Sequence, residues 1–219
     1  VERVAPDKLA IRWSDTDPVD LLQTDRPDAA IASATLLSAR DKDGVQEVQV
    51  APGTRPYFLL RDSKSGAVTR VAERVLVMEQ SSNFRDLGGY PAAGGKHVRW
   101  GRIYRSGGQA MLTPADVAQV KALGVANLVD LRSDEERLFA PTKLDGIPYN
   151  AVGYSMAAMM SGMKFDPKNM DPAKQVEAYA GTYRGMATQL KLQLRIVFAR
   201  LLSKEGPLLY NCSAGQDRT

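Results

Sequence analysis

The 219-residue chain has one cysteine and one histidine. A lone thiol excludes an internal disulfide. With a lone imidazole beside it, neither a multi-cysteine zinc site nor a histidine cluster can be assembled, and no metal or cofactor is assigned from the sequence. Long apolar runs are missing as well, and without a stretch of about 18 such residues no transmembrane segment is predicted. No secretory leader is legible, although the chain opens Val1-Glu2-Arg3 without a methionine, which suits a processed N-terminus. Aromatic residues are only 7% of the total and do not interleave with the dispersed lysines and arginines, which argues against nucleic acid as a partner. The single histidine, His97, follows Gly94-Gly95-Lys96 and reads as a solvated loop residue.

What is present is ordinary for a globular protein: 44% hydrophobic and 25% charged residues, in a length that suits one large or two small domains. The net charge of +4 conceals an asymmetry, because residues 1–80 carry 11 basic and 13 acidic side chains while residues 81–219 carry 18 and 12. An anionic ligand is therefore expected in the second part. From Lys8 to Met78 the pattern is short and β-like. Strands are predicted over residues 9–13, 19–23, 34–38, 45–50, 57–61 and 68–78, separated by turn signals such as Asp41-Lys42-Asp43-Gly44 and Ala51-Pro52-Gly53. This spacing predicts a small N-terminal β-sandwich domain over residues 1–80. The sequence around Trp13 and Tyr57-Phe58-Leu59-Leu60 is similar to a fibronectin type III-like module. Nothing in it can do chemistry, so its expected role is docking or partner binding.

Composition changes near residues 79–82, and Asn83-Phe84-Arg85-Asp86-Leu87-Gly88-Gly89-Tyr90 follows. The glycine pair needs unusual backbone angles and Arg85-Asp86 can bridge internally, so these words also read as a tight structural turn. An α/β pattern then begins. Thr113 caps a helix with Pro114 in its first turn, ending at Gly124. Residues 125–131 form an apolar, doubly buried strand, Ser133 and Glu136 have capping-box spacing for a short helix ended by Pro141, and residues 147–152 suit another strand. Met156, Met159, Met160 and Met163 lie among small residues, with Phe165, Asp166-Pro167 and Asp171-Pro172 beyond. Such methionines serve either adaptable packing or a cover over a site. One long amphipathic helix is predicted over residues 173–202, broken near Gly181 and Gly185.

The last ten residues, Tyr-Asn-Cys-Ser-Ala-Gly-Gln-Asp-Arg-Thr, hold the only cysteine, Cys212, with Arg218 six positions on and a hydroxyl at Thr219. Five intervening residues let the backbone wrap a tetrahedral oxyanion, with the N–H groups of Ser213, Ala214, Gly215 and Gln216 pointing inward and Arg218 closing the ring. A thiol at the base of such a ring is held as thiolate and can attack the atom above it. The apolar run Pro207-Leu208-Leu209-Tyr210 leads into the loop as a buried strand does.

Cys212 to Thr219 resembles the signature loop of cysteine-based protein tyrosine phosphatases, and its wording is closest to bacterial secreted tyrosine and phosphoinositide phosphatases. Asn83 to Tyr90 resembles the opening of the catalytic domain in those enzymes. Agreement continues at 101–107, Leu112-Thr113, Leu123-Gly124-Val125 and Val129-Asp130-Leu131-Arg132-Ser133 with Glu136. The family usually has His where this chain has Asn211 and Lys where it has Gln216. The resemblance implies an α/β, protein tyrosine phosphatase-like domain over residues 81–219 behind the sandwich, and hydrolysis of a phosphorylated protein or phosphoinositide through a phosphocysteine on Cys212. Arg218 and the loop N–H groups would hold the phosphate, and Thr219 would support the thiolate. Asp217 is the expected proton donor, with Asp171 second and loop bracing by Asp217 as the alternative. A phosphatase-like module that binds phosphoprotein or inositol phosphate with little turnover is the competing expectation, and a rhodanese-like thiol loop a third. The loop calls for a helix after Arg218, so the natural polypeptide is expected to continue past Thr219. An exported location, periplasmic or secreted, is expected from the family's habits.

Overall fold

The computed structural model describes residues 1–160 and 171–219. The chain divides into two compact units, Val1–Leu76 with Arg85–Ile103, and Val77–Phe84 with Tyr104–Thr219. In the first, seven strands come in succession: β1 (Glu2–Ala5), β2 (Lys8–Arg12), β3 (Val19–Thr24), β4 (Thr35–Asp41), β5 (Val45–Gln49), β6 (Tyr57–Asp62) and β7 (Val68–Ala72). They form two antiparallel sheets, ordered β1-β2-β5 and β4-β3-β6-β7. Leu9 and Ile11 of the first sheet and Leu21 and Phe58 of the second are sealed in one cluster at 0% exposure.

Two strands depart from the expected pattern. β1 is additional: its short, charge-bearing Glu-Arg-Val-Ala run gives little β signal, yet Arg3 reaches the carboxylate of Glu73 at 3.0 and 2.9 Å. The strand expected to run to residue 78 stops at Ala72. The carbonyl of Glu73 is taken by the Arg55 side chain, at 2.9 Å from Nε and 2.7 Å from Nη2, so it is lost to the ladder.

The remainder of this unit holds the short strands β8 (Arg85–Asp86), β9 (Pro91–Ala92) and β10 (Lys96–His97). Asp86 of β8 finds an ion-pair partner well away from its neighbour Arg85. It is fully buried, pairs with Arg55 at 2.8 Å and accepts the N–H groups of Gly88 and Gly101, each at 2.7 Å. The two glycines seat an indole: a Cβ on Gly88 would lie 2.5 Å from the Trp100 backbone and ring, and one on Gly89 2.7 Å from its ring edge.

In the second unit, β11 (Ile103–Ser106) is followed by α1 (Pro114–Ala122), β12 (Asn127–Asp130), α2 (Asp134–Phe139), β13 (Tyr149–Ala151), α3 (Met156–Met160), α4 (Pro172–Gln189), α5 (Lys191–Ser203) and β14 (Leu208–Asn211). The strands lie in the order β13-β12-β14-β11, with β12 parallel to β13 and β14. Val129, Leu131 and Leu208 of this sheet pack with Val197 of α5 and with Cys212. Both predicted caps form. Thr113 and Asp116 make a capping box on α1, and Ser133 and Glu136 another on α2.

The long helix breaks at Leu190, and Gly181 and Gly185 stay helical. No residue of α4 is buried, whereas Leu190 is 1% exposed and Gln193 and Val197 of α5 are buried. The bend thus falls where a surface helix becomes a core helix, and packing outweighs the weak helix preference of glycine. Asp171 caps α4 by accepting the Ala173 N–H at 2.8 Å. Of the methionine-rich cover, Met163, Phe165 and Asp166-Pro167 lie outside the described residues. No described helix is long and apolar enough to cross a membrane.

The glycine seat gives a test of this packing. Gly88→Ala forces a methyl group against the Trp100 backbone, and is expected to lower stability by about 1–3 kcal/mol, read as a drop in melting temperature together with altered indole emission. An unchanged melting temperature would mean that Trp100 is not held this way.

Candidate active site

β14 delivers Cys212 to the carboxyl end of the parallel strands, where α/β sheets place ligands. The thiol is 2% exposed. Burial is the largest single influence on it and opposes ionisation. It is outweighed by the Thr219 hydroxyl, by the N–H groups of Gln216 and Gly215, and by the charge of Arg218, so the thiol lies below its ordinary pKa. Cys212 Sγ stands 3.8 Å from Thr219 Oγ1.

The loop is held from several sides within its own unit. Asn83 donates to the Ala214 carbonyl at 2.7 Å, and Gly108 donates to that of Ser213 at 2.9 Å. Arg105 gathers the Gly215 and Gln216 carbonyls at 2.9 and 3.0 Å and the Thr219 hydroxyl at 2.6 Å. Gly215 has φ +67°, and a Cβ there would lie 2.6 Å from the Gly107 nitrogen and the Ser106 carbonyl carbon. Only glycine accommodates both the left-handed angle and that approach.

Arg218 is fixed by a carboxylate. Glu136 accepts its Nη1 at 2.6 Å and its Nη2 at 2.7 Å, Nη1 also donates to Tyr154 Oη at 2.8 Å, and Nη2 to Ser213 Oγ at 3.1 Å. Glu136 in turn accepts the Ser213 hydroxyl. Hydrogen bonding by Arg218 pulls the Glu136 carboxyl from its ordinary 4.5 down to about 2, against a smaller opposing effect of burial. Beneath the loop, Asn211 is fully buried and donates to Asp130 Oδ1 at 3.2 Å. Asp130 also accepts Arg132 Nη2 at 2.7 Å and Tyr149 Oη at 2.9 Å. Burial, then the Asp130 charge, push the Tyr149 hydroxyl up to about 12. Asp217 is exposed and accepts the Tyr183 hydroxyl of α4 at 2.5 Å.

Sequence reasoning thus placed Cys212, Ser213 to Gln216, Arg218 and Thr219 in one loop, and the structure brings them together. Asp217 lies in the same loop, whereas Asp171 is engaged as a helix cap. The partners that hold the loop were not assigned. Glu136 was legible as a cap and as a member of a matching stretch, and Asn83 and Arg105 only as members of matching stretches. Tyr154 and Tyr183 carry no local signal at all.

Comparison with known proteins places this geometry. Residues 76–219 match the model of the tyrosine phosphatase family. The chain belongs to that family. It is also similar to a protein of Cupriavidus necator that carries, provisionally, the name tyrosine-protein phosphatase. The two are 32% identical over 161 residues, which is 66% of this chain and 53% of the relative. The chain thus spans about half the length of that curated relative.

The Glu136 carboxylate yields a pH prediction. Its pKa is depressed in the folded state, so the stability it contributes is complete above its ordinary 4.5 and disappears as pH falls toward about 2. Urea unfolding should therefore show Glu136→Gln less stable than the wild type at neutral pH, with the gap closing in acid. A gap that is constant with pH would mean the carboxylate charge does not hold Arg218.

Proposed function

We propose that the chain is a phosphomonoester hydrolase that acts on phosphotyrosine through a phosphocysteine intermediate, without metal or cofactor. The observation that carries the proposal is the setting of Cys212, whose sulfur stands 3.8 Å from the Thr219 hydroxyl, receives the N–H groups of Gly215 and Gln216 and feels the charge of Arg218, all of which favour the thiolate. In this reading the Cys212 thiolate attacks phosphorus and the P–O bond to the leaving phenol breaks. Asp217 gives its proton to the departing oxygen. Water then attacks the phosphocysteine, Asp217 takes a proton from it, and the P–S bond breaks to release phosphate and the thiolate. Ser213, Ala214, Gly215 and Gln216 present N–H groups to the equatorial oxygens and Arg218 balances the charge that gathers there. Phosphoserine, phosphothreonine and phosphoinositides are further candidate substrates. Residues 1–80 are proposed to form a fibronectin type III-like β-sandwich domain, and the protein to be exported.

A specific observation favours a second reading, a phosphatase-like module that binds phosphoprotein or inositol phosphate with little turnover. A guanidinium has five N–H donors, and both Nη atoms of Arg218 are already engaged by Glu136, Tyr154 and Ser213. A phosphate must displace some of these or use the remaining edge. Asn211 and Gln216, where the resembling enzymes have His and Lys, point the same way.

Release of phosphate from an aryl phosphate separates the readings. The hydrolase predicts turnover abolished by Cys212→Ser, and the binding module predicts retention of the ester without release. Asp217→Asn should slow hydrolysis of an ester with a poor leaving group by about 10²-fold or more while sparing an activated one. Equal slowing of both would assign Asp217 to bracing the loop.

A further inference from the structure

We propose a second anion site, in the first unit, for a phosphate-bearing ligand. A pocket of about 640 Å³ there is lined by residues of that unit alone, among them Arg70, Arg74, Arg99 and Arg102, with His97 at its edge. Among the described residues, Asp28 is the only carboxylate in the lining. It is a weak counterweight, standing 3.7 Å from Arg102 and, half-exposed, the same distance from Arg26. Exposed pairs at that separation contribute about 0–1 kcal/mol, so the pocket keeps most of its positive charge.

Arg70, Arg74 and Arg99 each keep guanidinium nitrogens that no hydrogen bond among the described residues uses. The Arg74 guanidinium carbon lies 4.1 Å from the Tyr90 ring centre and 4.9 Å from that of Trp100, contacts that leave its N–H donors unused, and among the described residues only its Nη1 is spent, on the Asp86 carbonyl at 3.0 Å. Arg70 uses Nη2 on the Ala29 carbonyl at 2.8 Å. Its Nη1 is shielded from water and has no hydrogen-bond partner among the described residues. Arg99 is exposed and, among the described residues, makes no hydrogen bond or ion pair. An orphaned guanidinium nitrogen is costly unless something pairs with it. Guanidinium groups that line one cavity suit the oxygens of a phosphate, which such planar forks bind bidentately. Trp100, Val68 and Val71 give the pocket an apolar wall, suited to a ligand whose phosphate is carried on a small organic body.

The site is independent of the Cys212 loop, so it is tested in the full chain bearing Arg218→Ala, which disables anion binding at that loop. Calorimetric titration of this protein with inorganic pyrophosphate should reveal binding that falls about tenfold or more on Arg70→Gln, falls again on adding the exposed change Arg99→Gln, and is restored in part by Arg70→Lys. A parallel arm measures sedimentation with phosphatidylcholine vesicles with and without phosphatidic acid. Arg70-dependent capture by the acidic vesicles assigns a lipid source for the phosphate, and binding of pyrophosphate alone assigns a soluble one. No binding in either arm, or binding indifferent to Arg70→Gln and Arg99→Gln in protein that melts normally, overturns the site. Aryl phosphate turnover by protein carrying only Arg99→Gln should match the wild type, which keeps this outcome separate from the fate of the hydrolase reading.

Discussion

One carboxylate ties the helix after β12 to the loop after β14. Glu136 closes the capping box of α2 through the Ser133 N–H at 2.8 Å, and the same two oxygens take both Nη atoms of Arg218 and the Ser213 hydroxyl. Helix cap and loop brace are therefore a single group. Charge-assisted bonds of this kind contribute about 1.5–3 kcal/mol each, and the cap fixes where the carboxylate can be. Arg218 has a defined position because α2 begins where it does, and α2 begins there because Ser133 and Glu136 stand three residues apart. Arg218 stays protonated throughout: burial works against its charge, but Glu136 and Tyr154 hold it well above its ordinary value.

Below that brace lies a second constraint, polar and buried. Asp130 and Arg132 pair at 2.7 Å with almost no exposure, and Asn211 and Tyr149 converge on the same carboxylate. Removing one member of such a pair costs about 3–5 kcal/mol because it strands the other. The arrangement ties the ends of β12, β13 and β14 together directly under Cys212. Asn211 is well suited to this place: its amide donates both to Asp130 and to the Cys212 carbonyl at 3.3 Å. The amide is neutral, so the residue before the nucleophile adds no charge to the thiolate, and the lowered pKa of Cys212 rests on Thr219, on backbone N–H groups and on Arg218.

What was legible in the sequence is what is local. The caps of α1 and α2, the buried strand into Cys212 and the left-handed turn at Gly124, with φ +66°, all follow from residues within a few positions of one another. The break at Leu190 was misplaced because glycine propensity is local while burial is not, and the packing of α5 on the sheet decided the matter. The same limit explains the site. Cys212 to Thr219 is contiguous and could be read, whereas Asn83, Arg105, Glu136, Tyr154 and Tyr183 reach it from sequence separations that no period or spacing encodes. Asp86 makes the point in the first unit, since its partner Arg55 is 31 residues away.

Charge shows the same difference between linear and spatial order. Counted along the chain, acidic groups slightly outnumber basic ones in residues 1–80, which pointed an anionic ligand toward the second part. In three dimensions Arg70 and Arg74 from that acidic stretch meet Arg99 and Arg102 around Trp100. The glycine pair at 88 and 89 is what lets the indole sit there, with its Nε1 donating to the Arg70 carbonyl at 2.9 Å. The stretch from Asn83 to Tyr90 is thus, in its second half, the mounting for an arginine-lined pocket. Its first half serves the signature loop through Asn83. One short stretch does two separate jobs, seating Trp100 through Gly88 and Gly89 and holding the Ala214 carbonyl through Asn83.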